Sequence, residues 1–152
     1  MVTTKVIKRG VAIKADVVSQ DENETLGIRI LLNYGHTLGH AIEVVTGYKE
    51  FLHGEAVSIG MIGAAFISNQ LGMLSNHDLE RQRNLLEALS LPISFRSIDK
   101  RAIIEAISRD KKMSAGAINW VLLNRIGEAV TRNDVSEQLL LNALDYISGK
   151  RV

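Results

Sequence analysis

The stretch Leu32-Asn33-Tyr34-Gly35-His36-Thr37-Leu38-Gly39-His40-Ala41-Ile42-Glu43 constrains this chain more than any other. Two imidazoles stand four residues apart in an apolar run that a helix accepts. Residues i and i+4 lie above one another on one helix face. Arg29 and Asn33 continue that spacing backwards, so a helix over residues 29–46 carries a guanidinium, a carboxamide and two imidazoles on one ridge. A face that only packs does not place four polar groups in a stripe. A plainer reading, a half-exposed face with two surface histidines, competes while the HxxxH pair stands alone, because so short a pattern recurs by chance.

The chain has 152 residues, enough for one domain with a sizeable core. Hydrophobic residues make up 46% and charged residues 23%, which excludes a disordered chain. A net charge of +1 without basic runs argues against a nucleic-acid partner. Cysteine is absent, so disulfides, thiolate metal sites and a cysteine nucleophile are excluded, and the cytoplasm fits. Met1-Val2-Thr3-Thr4-Lys5-Val6-Ile7-Lys8 lacks the apolar core of a signal peptide. The apolar stretch after His53 is interrupted by Glu55, Ser58 and Asn69, so no membrane span is expected. A single proline and few aromatics point to helices joined by short loops.

Apolar spacing predicts a first helix over residues 6–18, with Val6, Ala12, Ile13, Val17 and Val18 inward and Lys14 snorkelling. Its abrupt beginning suits a piece of something longer. Residues 21–25 form an acidic connection whose carboxylates either face solvent or turn toward Arg29. Gly47 suits a helix C-cap, and residues 48–52 a loop. His53 opens a helix to about residue 71. Its small face, Gly60, Gly63, Ala64 and Ala65, lets the histidine helix approach closely and returns His53 beside His36. A fourth helix spans residues 76–89, capped by Asn76 and packing Leu79, Leu85, Leu86 and Leu89, with His77 on the surface. After a break at residues 91–93, Ser97 or Asp99 caps a helix over residues 100–109, closed by Asp110-Lys111-Lys112; cations complement a helix carboxyl end. Residues 117–124 and 128–130 read as a hairpin turning near Gly127. Asp134 caps a last helix over residues 136–147.

Neutral imidazole is the commonest transition-metal ligand. His36, His40 and His53 meet if the two helices pack as expected, and spacing alone selects His36 and His40 as the ligand pair. Two histidines and a carboxylate leave the open positions that a catalytic zinc uses. Lys14, Arg29, Asn33 and Lys111 or Lys112 suit an anionic substrate, arginine by a forked pair of bonds and lysine as a point charge. Such a set fits a phosphorylated or carboxylated hydroxy compound rather than an apolar ligand.

Several blocks together carry a resemblance: Lys14-Ala15-Asp16-Val17-Val18, Asp21-Glu22-Asn23-Glu24, the run from Arg29 through Glu43, Gly47-Tyr48, Leu52-His53-Gly54-Glu55-Ala56-Val57, and Asp110-Lys111-Lys112. They resemble 3-dehydroquinate synthase, over nearly the whole chain. The resemblance implies a mainly α fold: the helical C-terminal domain of that enzyme, with a short β-hairpin near the C-terminus. The family's N-terminal NAD-binding domain has a glycine-rich nucleotide loop that does not occur here. The expectation is therefore a single helical domain over residues 1–152, a fragment lacking that NAD-binding domain and the family's third metal ligand, an upstream glutamate. Such a fragment is expected to be inactive alone and to hold metal weakly.

By that resemblance His36 and His53 match ligands for zinc or cobalt, and His40 matches a proton acceptor, not the ligand that spacing selects. Glu24 matches a second proton acceptor. Lys14, Arg29, Asn33 and one of Lys111 and Lys112 match substrate-binding positions. The implied reaction converts 3-deoxy-D-arabino-heptulosonate 7-phosphate to 3-dehydroquinate and phosphate in the shikimate pathway to aromatic amino acids. NAD acts transiently, so the net class is lyase. The implied partners are the phosphorylated sugar-acid substrate, the missing NAD domain and a second copy in a homodimer, with no nucleic acid or membrane. The alternatives are a related sugar-phosphate cyclase of the 2-deoxy-scyllo-inosose synthase kind, a metal-dependent polyol dehydrogenase, and a non-catalytic helical association domain.

Overall fold

A computed structural model of the chain describes the backbone of residues 2–23, 27–113 and 118–149, and their side chains except at 2–3 and 110–113. Its contacts divide it into two compact units, Met1–Asn33 and Tyr34–Val152. The expected mainly helical fold with a hairpin near the C-terminus is what is found.

The first unit holds α1 (Val2–Gln20) and a 3-10 turn over Arg29–Asn33. Asp21 joins them. Its carboxylate is buried and accepts the backbone N–H groups of Ile28 at 2.9 Å and Arg29 at 3.1 Å. Of the two readings of the acidic connection, solvent-facing or turned toward Arg29, Asp21 thus takes the second, as an internal clasp. The inward face expected of α1 is corrected as well. Val17 and Val18 are half-buried, but Ala12 is exposed, Val6 is 55% exposed and Ile13 47%. Helical spacing sorts apolar residues onto a face; it does not supply the surface that covers it.

The second unit starts with a break that spacing did not reveal. Gly35 has φ 81°, so the expected helix over residues 29–46 is interrupted before α2 (His36–Val45). The ridge of four polar groups is therefore not one helix face: only His36 and His40 share it. α2 ends as expected at Gly47, in the left-handed region. Gly47 N–H donates to the Val44 carbonyl and Tyr48 N–H to that of Glu43, the paired bonds of a Schellman cap.

α3 (His53–Gln70) runs back antiparallel to α2. Leu52 has no side-chain acceptor for the first turn, but Glu55 Oε2 reaches back to its N–H at 2.8 Å. The crossing is set by glycine. A Cβ on Gly60 would lie 2.0 Å from the Gly35 carbonyl oxygen, and one on Gly39 3.0 Å from Val57 Cα. Backbone meets backbone here, so no rotamer change makes room.

The core extends from this pair. Leu38, Ile42, Ile59, Ile62 and Ile67 of α2 and α3 pack with Ile103 and Ile107 of α5 (Lys100–Met113) and Leu140, Leu144 and Ile147 of α6 (Glu137–Ile147). β1 (Trp120–Arg125) pairs antiparallel with β2 (Glu128–Arg132), turning at Gly127. Ser68, fully buried on α3, accepts Leu123 N–H at 3.0 Å and donates to the Ala64 carbonyl at 2.8 Å, which ties the hairpin to the helix pair.

Two caps, one helix end and one face differ from expectation. α4 (Asn76–Ala88) is capped by Ser75, whose hydroxyl accepts Asp78 N–H, not by Asn76. Leu79 and Leu86 are buried as expected, but Leu85 and Leu89 are 59% and 51% exposed. Ser136 caps α6, because Asp134 is engaged by Arg132. Asp99 accepts the Arg101 N–H and opens α5, which continues to Met113, so Asp110-Lys111-Lys112 lie within its end, not beyond it. Among the described residues no helix is long and apolar enough to cross a membrane.

The glycine crossing generates a pair of opposed outcomes. Gly60→Ala should cost about 3 kcal/mol or more in urea unfolding, or prevent folding, since α2 and α3 must part. Gly10→Ala, in α1 with open space around it, should stabilise by about 0.5–1 kcal/mol.

Candidate metal centre

The antiparallel crossing brings three imidazoles to one place. The His36 ring centroid lies 5.4 Å from both His40 and His53, and His40 lies 5.5 Å from His53. The expected return of His53 to His36 is therefore found, and it follows from the helix pair: α2 supplies two rings from consecutive turns and α3 supplies its first residue.

Each ring is held through Nδ1. His36 Nδ1 lies 3.3 Å from the Tyr34 carbonyl oxygen. His40 Nδ1 lies 3.0 Å from Glu43 Oε2, and His53 Nδ1 lies 3.1 Å from Oε1 and 3.3 Å from Oε2 of the same carboxylate. A carbonyl and a carboxylate only accept, so neutral rings carry their protons on Nδ1 and leave a lone pair on Nε2.

Glu43 is the residue that spacing did not single out. It is 5% exposed, whereas the His40 and His53 side chains are 60% and 56% exposed. Burial alone would raise its carboxyl, but the hydrogen bonds from His53 and His40 outweigh burial and hold it below the usual glutamate value. The sequence signal was present as the i, i+3 step from His40 to Glu43, a helix-face pair. What it lacked was His53, which only the fold supplies. His36 is held below the usual histidine value, first by burial and then by the neighbouring His40 and His53, against the Tyr34 carbonyl, which raises it.

Two donor sets can hold a cation. His40, Glu43 and His53 place one donor atom each within 4.8 Å of one another. The alternative uses Nε2 atoms of the rings, with His36 included. The first set uses the buried Glu43 as a ligand. The second keeps Glu43 as the hydrogen-bonding support that metal-ligating histidines use.

The other expected site residues fall as follows. Lys14 is exposed on α1, and Arg29 and Asn33 lie on the 3-10 turn, all within the first unit. Besides the Asp21 clasp at its N–H, Arg29 donates from its guanidinium to the Glu22 carbonyl at 3.4 Å. Glu24 lies outside the described residues. Lys111 and Lys112 lie in the last turn of α5, with side chains outside the description. His77 is exposed, as expected, 3.5 Å from Asp78.

The fold is shared with part of two solved synthases. A 2-epi-5-epi-valiolone synthase from Streptomyces hygroscopicus subsp. jinggangensis 5008, solved with NAD+ and Zn2+ bound, superimposes with a TM-score of 0.84 at 26% identity, over 97% of this chain and 41% of that one. A 2-deoxy-scyllo-inosose synthase complexed with carbaglucose-6-phosphate, NAD+ and Co2+ gives a TM-score of 0.62 at 27% identity, over 76% of this chain and 34% of that one.

The chain itself belongs to the 3-dehydroquinate synthase C-terminal family, whose model matches residues 1–113. Among curated relatives, the 3-dehydroquinate synthase of Methylacidiphilum infernorum (isolate V4) is 46% identical over 132 residues, 87% of this chain and 37% of the relative. That of Campylobacter curvus (strain 525.92) is 46% identical over 140 residues, 92% of this chain and 40% of the relative. The chain thus spans about two fifths of the length of these relatives.

The depressed His36 value sets a pH dependence for the metal-free chain. The folded state favours neutral His36, so the unfolded state takes up the proton first as pH falls. Stability present above the ordinary histidine value of 6.5 is lost below it, and the lowered Glu43 adds a further loss below the ordinary glutamate value of 4.5. Urea midpoints should therefore fall between about pH 7.5 and about pH 5.5, and fall less in His36→Asn.

Proposed function

We propose that this chain is the metal- and substrate-binding part of a 3-dehydroquinate synthase, acting with an NAD-binding part to convert 3-deoxy-D-arabino-heptulosonate 7-phosphate to 3-dehydroquinate and phosphate. The observation that carries the reading is the three-imidazole cluster with every Nδ1 tied and every Nε2 directed elsewhere, in a chain of this family.

In this reading His36 and His53 hold a zinc or cobalt ion through Nε2, with the upstream glutamate that the family resemblance implies as third ligand. The donor chemistry fits: neutral imidazoles oriented by second partners, with positions left open. The ion supplies Lewis-acid polarisation of a substrate hydroxyl or carbonyl oxygen. NAD, when bound, would accept a hydride from a substrate secondary alcohol and later return it; the transient ketone would acidify the neighbouring C–H so that phosphate can leave by β-elimination.

The chain's own residues bind and move protons. His40 Nε2, on an exposed ring next to His53, accepts a proton from the substrate, its Nδ1–H held by Glu43. Glu24 is a second acceptor. Lys14, Arg29, Asn33 and one of Lys111 and Lys112 hold the substrate's carboxylate, hydroxyls and phosphate, as fixed cations and amides suit. Pairing of two copies belongs to the same reading.

A metal titration separates these roles. Co2+ should bind the chain, His36→Ala and His53→Ala should each weaken it by about 100-fold, and His40→Ala should leave it within a few-fold. Equal weakening by all three would favour His40 as a ligand. Activity is tested by combining the chain with the NAD-binding part of the Methylacidiphilum infernorum relative and following phosphate release. His40→Ala should lower turnover by about 100-fold or more. Release from another sugar phosphate and none from the heptulosonate phosphate would favour the related-cyclase reading, which the solved neighbours keep in view.

A further inference from the structure

We propose that Glu43 is a positioning residue whose one buried carboxylate fixes the proton of both His40 and His53 on Nδ1, and so presents both Nε2 lone pairs together. This deepens the reading above and rests on it for the roles of the two rings.

The geometry is specific. Oε2 receives His40 Nδ1 at 3.0 Å, and Oε1 and Oε2 receive His53 Nδ1 at 3.1 and 3.3 Å. The rings stand 5.5 Å apart and 27° from parallel, so one acceptor aligns them as a pair. One ring comes from α2 and the other from α3, and no other side chain is bonded to either among the described residues. The Glu43 backbone is itself fixed, because its carbonyl receives Tyr48 N–H at 2.8 Å in the cap of α2. The carboxylate therefore has a set origin and little room to follow a wandering ring.

Carboxylate chemistry makes the choice of residue meaningful. Ionised, it has two oxygens and four lone pairs and no proton to give. Both partners must then donate, and both rings take the same tautomer. A carboxamide of the same shape offers one accepting oxygen and one donating nitrogen. In Glu43→Gln one ring meets the N–H2 with its Nδ1 lone pair and carries its proton on Nε2 instead. That ring can neither ligate through Nε2 nor accept a proton there.

The test reads the proton directly. Long-range 1H–15N correlation on metal-free, 15N-histidine-labelled chain, at a pH where the rings are neutral, should show His40 and His53 as Nδ1–H tautomers. In Glu43→Gln one of the two should become Nε2–H while His36, held by the Tyr34 carbonyl, is unchanged. Co2+ affinity should fall by about 10–100-fold where the altered ring is His53, and stay within a few-fold where it is His40. Wild-type rings found as Nε2–H, or both rings still Nδ1–H in folded Glu43→Gln, would overturn the proposal. If Glu43→Gln does not fold, the wild-type tautomers decide alone. The tautomer pattern does not depend on which residues hold the metal, so failure of the metal assignment, seen as unchanged Co2+ affinity in His36→Ala, is a separate result.

Discussion

The second unit depends on one contact: two helix backbones touching with nothing between them. Gly35, Gly39 and Gly60 let α2 and α3 approach until a Cβ on Gly60 would sit 2.0 Å from the Gly35 oxygen. Removing side chains from a crossing costs apolar burial at that spot, and each helical glycine costs about 0.5–1 kcal/mol relative to alanine. The return is position. At this separation His53, the first residue of α3, faces the ring-bearing turns of α2, and three imidazole centroids form a near-equilateral triangle. The apolar ridge Leu38, Ile42, Ile59 and Ile62 below them is fully covered, so the helices cannot slide without opening the core.

Polar groups that enter that core have partners, except Ser58, whose buried hydroxyl has none among the described residues. Ser68 uses its hydroxyl twice, once toward its own helix and once toward the hairpin. The Tyr34 hydroxyl sits 2.9 Å from Gln82 Oε1, Gln82 Nε2 donates to the Met61 carbonyl at 3.0 Å, and burial holds the phenol far above its usual value. Among the described residues Glu43 is the one carboxylate in the cluster. A buried charge stripped of a partner costs several kcal/mol, and its two imidazoles keep it ionised. Removing either ring therefore acts on the structure as well as on the chemistry.

Much of this was legible in the chain. The small face Gly60, Gly63, Ala64 and Ala65 announced a close helix neighbour, and His36, His40 and His53 were readable as one cluster because that neighbour was expected to be the histidine helix. The hairpin at Gly127 and the cap at Gly47 followed from local turn chemistry. What failed had a common cause: periodicity reports a face but not its continuity or its cover. The i, i+4 step from Arg29 to Asn33 and the i, i+3 step on to His36 crossed a left-handed glycine, which no count of apolar residues detects. Val6 and Ile13 on α1, and Leu85 and Leu89 on α4, have the right spacing and no covering surface among the described residues. Glu43 was passed over because its second partner lies ten residues on and across a loop. The family resemblance named the metal and proton roles of the rings; only coordinates showed what orients them.

The left-handed residue ahead of α2 has a consequence of its own. Because the backbone reverses its sense at Gly35, the first imidazole sits at the mouth of a helix instead of partway along one. Its amide neighbours there have no preceding turn to satisfy, and the Tyr34 carbonyl is freed from helical duty to steady the ring. An alanine at that position would do more than crowd Met61. It would favour winding the helix one turn further back, trading an anchored histidine for an ordinary one.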